Sequence, residues 1–125
     1  MRSCSSRTSI PSTPYALPPG QWPDPVLRAF GKLNKKIYIP MQGPSEMGAS
    51  GVLENWDRSG DLKTISVSAL VIGAHYDTMD PKHMEWMAEQ IPGAKYLYCA
   101  KGSHLAMYDD QDTYFNGLIS FLQGL

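Results

Sequence analysis

VSALVIGAHYDTMDP, residues 67–81, is the segment on which the fold turns. Val67, Ala69, Leu70, Val71 and Ile72 make a nearly continuous apolar run. A run without alternation belongs to a strand covered on both faces of a parallel sheet. Asp80 and Pro81 then open a helix, Asp80 as N-cap and Pro81 at the first helical position. Met84, Met87, Ala88 and Ile91 recur on one side of that helix, and Pro92 with Gly93 ends it. Tyr96 to Cys99 is the next strand. Asp110 or Asp112 caps a last helix, in which Tyr114, Phe115, Leu118, Ile119 and Leu122 form the buried stripe. Strand, helix, strand, helix over 65–125 is the βαβα pattern of a parallel α/β sheet.

Upstream, residues 22–64 read differently. Pro25 suits a first helical turn, and Val26, Leu27, Phe30 and Leu33 share one helical face, with Asn34 as the stop. Ile37, Tyr38 and Ile39 read as a short extended piece ended by Pro40. Gln42 to Gly51 and Asp57 to Asp61 read as loops, and Leu62 opens a short helix or turn. Residues 1–21 form a leader with Arg2, Arg7 and five serines but no acidic residue, followed by Pro11, Pro14, Pro18 and Pro19. That composition is expected to be disordered. It is serine- and arginine-rich like a transit peptide, but the prolines oppose the amphipathic helix one needs. They equally permit a polyproline ligand for an SH3- or WW-type partner.

The whole-chain balance narrows the function. With 11 basic and 12 acidic residues the net charge is −1, which argues against a nucleic-acid partner. The longest apolar stretch, Val67 to Ala74, is too short to span a bilayer, so no membrane partner is expected. Cys4 and Cys99 are the only cysteines, which is no disulfide framework and fits a reducing, cytoplasmic location.

In a parallel α/β sheet, chemistry gathers beyond the carboxyl ends of the strands. Asp77 and His104 each lie just beyond one, on loops that leave adjacent strands. With strands about 4.8 Å apart the loops emerge side by side. A carboxylate then accepts from one imidazole nitrogen and leaves the other free as a base. Asp80 competes for the acid role, but N-capping accounts for it; Asp77 lies nearer the strand end. An acid after one strand and a histidine after the next is how α/β-hydrolases present the last two triad members, behind a nucleophile on a G-x-S-x-G turn. No such turn occurs here: Ser45, Ser50 and Ser103 all lack the flanking glycines. Two rival clusters are present. His75, Asp77, Asp80 and His83 are nitrogen and oxygen donors of the metal-ligand type, though their spacing matches no known site, and no metal or other cofactor is expected. Asp109, Asp110 and Asp112 lack the glycine and terminal glutamate of a calcium loop and read as a solvated helix start.

Four stretches, MQGPSEMGASG (41–51), LENWD (53–57), LVIGAHYDTMDP (70–81) and KGSHLAMYDDQ (101–111), carry a family likeness by their order and spacing. From Trp22 onward the chain resembles the C-terminal part of proline iminopeptidases and their α/β-hydrolase relatives. The resemblance implies a metal-free serine aminopeptidase that removes an N-terminal proline or small apolar residue from a peptide or amino-acid amide. Residues 22–64 would then be a remnant of the cap region and 65–125 the end of the hydrolase domain. Asp77 would be the triad acid and His104 the triad base. Glu46 matches a cap glutamate that binds the substrate's free amino group, a role suited to a carboxylate. Relatives often carry a second glutamate directly after the triad acid; here that residue is Thr78.

The expectation is therefore a fragment of a proline iminopeptidase-like hydrolase, inactive alone, since loss of a triad nucleophile costs on the order of 10⁶ in turnover. Two strands built for cover on both faces would also leave an open edge, through which the chain would self-associate. The alternatives are a non-catalytic interaction protein derived from a hydrolase tail, an esterase-like hydrolase, or a small enzyme using the His75–His83 cluster and a metal.

Overall fold

The computed structural model describes residues 22–44 and 49–125. In chain order these are helices α1 (Asp24–Gly31) and α2 (Lys35–Gln42), a 3₁₀ turn (Ser59–Thr64), strand β1 (Leu70–Ala74), helix α3 (Pro81–Gln90), strand β2 (Lys95–Cys99), and helices α4 (Ala106–Asp109) and α5 (Gln111–Gln123). The βαβα order read from the sequence is present, with β1 and β2 parallel and paired from Leu70 with Lys95 to Ala74 with Cys99. Asp80 caps α3 by accepting from the Lys82 amide at 2.9 Å, with Pro81 in the first turn.

The faces of the sheet follow from the two-residue period of its side chains. Ile72 and Ala74 of β1 and Leu97 and Cys99 of β2 share a cluster with Ala106 and Tyr114. This is the face that α4 and α5 cover. At Gly117 the last helix comes close enough that a Cβ there would lie 2.5 Å from Leu97 Cδ2, so any larger residue would require the Leu97 side chain to move. Along the other part of the ladder, the Tyr96 hydroxyl donates to the Pro81 carbonyl at 2.8 Å and ties β2 to the start of α3. Burial, then the nearby Glu85 carboxylate, raise the Tyr96 phenol above its ordinary range, which keeps it a donor. The 3₁₀ turn lies against α3, with Ser59 and Lys63 beside Trp86.

Several elements differ from the sequence reading. Residues 37–39 are not extended but lie within α2. Asn34 does not stop α1; it caps α2, accepting from the Lys36 amide at 3.2 Å. The carbonyls of Pro40, Met41 and Gln42, left over at the helix end, are taken by the amides of Val52, Leu53 and Ser50. Pro40 lies inside this short helix, where it has no amide to donate back toward Lys36. Strand β1 begins at Leu70, and Val67 is exposed. The short helix α4, Ala106–Asp109, falls where the sequence pattern shows no helix of its own.

The stripe on α5 is in place but not covered: Phe115, Ile119 and Leu122 are 43%, 49% and 56% exposed. Among the described residues the buried apolar side chains are Val26, Ala74, Ala88, Ile91, Cys99 and Ala106, without a leucine, phenylalanine or methionine. Burial of large side chains is the main source of stability, at roughly 1.5–3 kcal/mol each. The core is therefore thin. No helix among the described residues is long and apolar enough to cross a membrane.

Candidate active site

The site is built where the two strands end. The loop after β1 is stitched to the loop after β2 by two backbone bonds, His75 amide to Cys99 carbonyl at 3.1 Å and Tyr76 amide to Gly102 carbonyl at 2.9 Å. These continue the parallel ladder past the last strand residues and fix the loops relative to each other. Asp77 and His104 then face one another, with His104 Nδ1 3.1 Å from Asp77 Oδ1. The carboxylate is nearly enclosed, its side chain 12% exposed, whereas the imidazole is 45% exposed. The same Oδ1 accepts from the Met79 amide at 3.1 Å and the Thr78 hydroxyl at 3.3 Å. Asp77 is thus aimed by its own loop, and an Nδ1–H donated to it leaves Nε2 as the basic nitrogen.

The other residues singled out in the sequence have separate partners. Asp80 serves as the α3 cap. His75 Nδ1 lies 2.8 Å from the Tyr98 hydroxyl, and His83 stacks on Trp86 at 5.2 Å between ring centroids. Among the described residues no three His, Cys, Asp or Glu side chains converge as a metal-ligand group. An open groove of about 580 Å³ runs past His75, Lys82, Glu85 and Tyr98, and neither Asp77 nor His104 lines it. Glu46 falls outside the described residues.

Asp109 and Asp110 correct the sequence reading. They are not a solvated helix start but fold back on the loop that carries His104. Asp109 accepts from the Ser103 amide at 2.9 Å and from the Ser103 hydroxyl, and that hydroxyl accepts from the Leu105 amide at 3.2 Å. Asp110 accepts from the Lys101 amide at 3.1 Å and the Thr113 hydroxyl at 2.8 Å. Ser103 is 1% exposed, so this serine, adjacent to the histidine, is closed to substrate. In sequence, acidic residues at a helix start look like caps; only the return of α4 onto the loop reveals the second use.

Cys99 lies under the site with no exposed surface. Burial first, then the carboxylates of Asp110 and Asp109, push its thiol from an ordinary 9.0 up to about 11. The folded state binds this proton more tightly than the unfolded one. Its contribution is complete below about pH 9 and is lost as pH rises toward about 11. In a Cys4→Ser chain we expect Cys99 to react with a thiol reagent at least about 100-fold more slowly than in denaturant. A denaturation series is expected to show stability falling above about pH 9, and Cys99→Ala is expected to flatten that fall. Equal labelling rates with and without denaturant would contradict the packing described.

No family model matches the chain. The chain is 55% identical over 107 residues to the proline iminopeptidase of Chitinophaga pinensis, covering 86% of the chain and 36% of that protein. It is 51% identical over 102 residues to the proline iminopeptidase of Flavobacterium johnsoniae, covering 82% and 34%. By sequence the chain is a proline iminopeptidase relative, matching the C-terminal part of that family. It spans about a third of the length of the curated relatives it matches. The solved α/β-hydrolase VinJ superposes with a TM-score of 0.78 at 22% identity, over 84% of the chain and 36% of VinJ. The fold is accordingly the C-terminal portion of an α/β-hydrolase. The iminopeptidase resemblance and the hydrolase fold expected from the four sequence stretches are both borne out.

Proposed function

We propose that the chain carries the acid and histidine half of a proline iminopeptidase-type serine hydrolase. The observation behind this is the 3.1 Å pairing of His104 Nδ1 with Asp77 Oδ1 across two adjacent parallel strands. In that reading His104 Nε2 takes the proton of an attacking serine and later delivers it to the departing amine, while Asp77 holds the imidazole and stabilises its charged form. The serine, on a G-x-S-x-G turn, is not among these 125 residues. Glu46 binds the substrate's ammonium group, and residues 22–64 belong to the cap that surrounds it. The substrate class is a peptide or amino-acid amide with N-terminal proline or a small apolar residue, and the location is cytoplasmic.

The experiment is hydrolysis of a proline-amide reporter by this chain, alone and mixed with the N-terminal portion of the Chitinophaga pinensis relative. The expected outcome is no turnover alone and turnover in the mixture, lost with His104→Ala. Turnover by the chain alone that survives His104→Ala would overturn the reading. A second reading, a non-catalytic protein that binds a partner through its apolar surface, is favoured by the exposure of Phe115, Ile119 and Leu122 on α5. It predicts a folded chain that stays inactive in the mixture.

A further inference from the structure

We infer that Asp109 and Ser103 are positioning residues that hold the His104 backbone, and so keep the imidazole on Asp77. This inference rests on the hydrolase reading for its catalytic meaning, but not for its geometry. Beyond His104 the Leu105 carbonyl accepts from the Tyr108 and Asp109 amides as α4 begins, and the side-chain bonds around Ser103 fix the other side of the histidine. His104 sits between Ser103 and Leu105, and both of those residues are tied. The Ser103 amide and hydroxyl each bond Asp109, and the Leu105 amide bonds the Ser103 hydroxyl. One carboxylate from α4 thus fixes the residue before the histidine through two bonds, and the residue after it through one intermediate oxygen.

The burial of this arrangement raises its consequence. Ser103 is 1% exposed, so water cannot replace a lost partner without opening the loop. The Ser103 hydroxyl donates to Asp109 and accepts from Leu105, and its role is therefore used up in the turn. Asp110 braces the same loop one step earlier, at Lys101, from the start of α5. The imidazole itself is 45% exposed and gains little from packing. Its direction depends on the backbone beneath it. A misplacement of about 1 Å in a catalytic group is enough for losses near 10²-fold.

The test is the tautomer of His104 in the 125-residue chain, read from the ring-nitrogen resonances. The wild-type chain is expected to hold the proton on Nδ1, toward Asp77. Asp109→Ala is expected to give a mixture of the two tautomers, and Asp109→Glu, which keeps a carboxylate, to restore part of the single form. In the reassembled enzyme the same substitution should lower kcat by about 10- to 100-fold with KM little changed. Cys99 labelling reports whether each variant is folded. Where Asp109→Ala exposes Cys99, Ser103→Ala is the second variant, since it removes the hydroxyl bonds but keeps the backbone one.

A folded Asp109→Ala or Ser103→Ala chain with an unchanged His104 tautomer would overturn the inference, as would a wild-type chain with mixed tautomers. A tautomer shift without any activity in the reassembled mixture would support the positioning role while counting against the peptidase reading.

Discussion

Asp77→Asn is expected to lower turnover of the reassembled hydrolase by about 10⁴-fold with the loop still in place. The reason lies in how the carboxylate is held. Asp77 Oδ1 accepts from His104 Nδ1, the Met79 amide and the Thr78 hydroxyl. An asparagine retains one such oxygen, so the turn after β1 can keep its shape. What it removes is the negative charge, which stabilises the imidazolium formed when His104 takes a proton. The asparagine amide is also able to donate to Nδ1, which would place the imidazole proton on Nε2, the wrong nitrogen for a base. His104→Ala removes the base outright, and its expected loss is on the order of 10⁶. Asp80→Asn is the matched control. Its carboxylate only caps α3, asparagine caps about as well, and turnover should change by less than about twofold. A loss under about tenfold for Asp77→Asn, in a chain whose Cys99 stays protected, would remove Asp77 from the acid role. Equal losses for Asp77→Asn and Asp80→Asn would do so as well.

The parts of the molecule legible in the sequence are those whose partners are close in the chain. Asp80 and Pro81 specify the start of α3 by local hydrogen bonding and a preset backbone angle, and no distant residue is needed. The continuous apolar run into Ala74 and the loop motifs after each strand likewise placed Asp77 beside His104. The pairing then follows from the spacing of adjacent strands. Reading failed where a distant segment decides. Ile37, Tyr38 and Ile39 favour an extended backbone on local grounds, but residues 50–53 return to close the end of a helix there. Asp109 looked solvated because its partner, Ser103, is reached only once α4 turns back on the strand exit. The stripe on α5 was legible as a pattern, yet Phe115, Ile119 and Leu122 remain exposed. Periodicity reports that a face is built for cover; it does not say which residues supply the cover.

Gly102→Val should unfold the site, and Gly102→Ala should weaken it by about 1–3 kcal/mol. Gly102 is buried where the exit of β2 meets α4. A Cβ there would lie 2.8 Å from Ala106 Cβ and 2.9 Å from Cys99 Cβ. Neither neighbour has a rotamer that moves its Cβ away, so relief requires shifting backbone. The affected atoms belong to the cluster of Ala74, Cys99 and Ala106 that joins the sheet to α4. Because the core is thin, a loss of this size is a large part of what holds it. The same residue links the two loops, since its carbonyl accepts from the Tyr76 amide. A wedge at Gly102 would therefore part His104 from Asp77 as well as loosen the fold. For Gly102→Ala we expect Cys99 labelling to rise about 5- to 100-fold and the His104 tautomer to become mixed. Gly31→Ala is the comparison: a Cβ there meets nothing within 4 Å, and near the end of α1 the change should be neutral or stabilising by up to about 1 kcal/mol. Gly102→Ala with wild-type labelling would show that α4 moves aside at little cost. The bond from Asp109 to Ser103 would then be too yielding to fix His104.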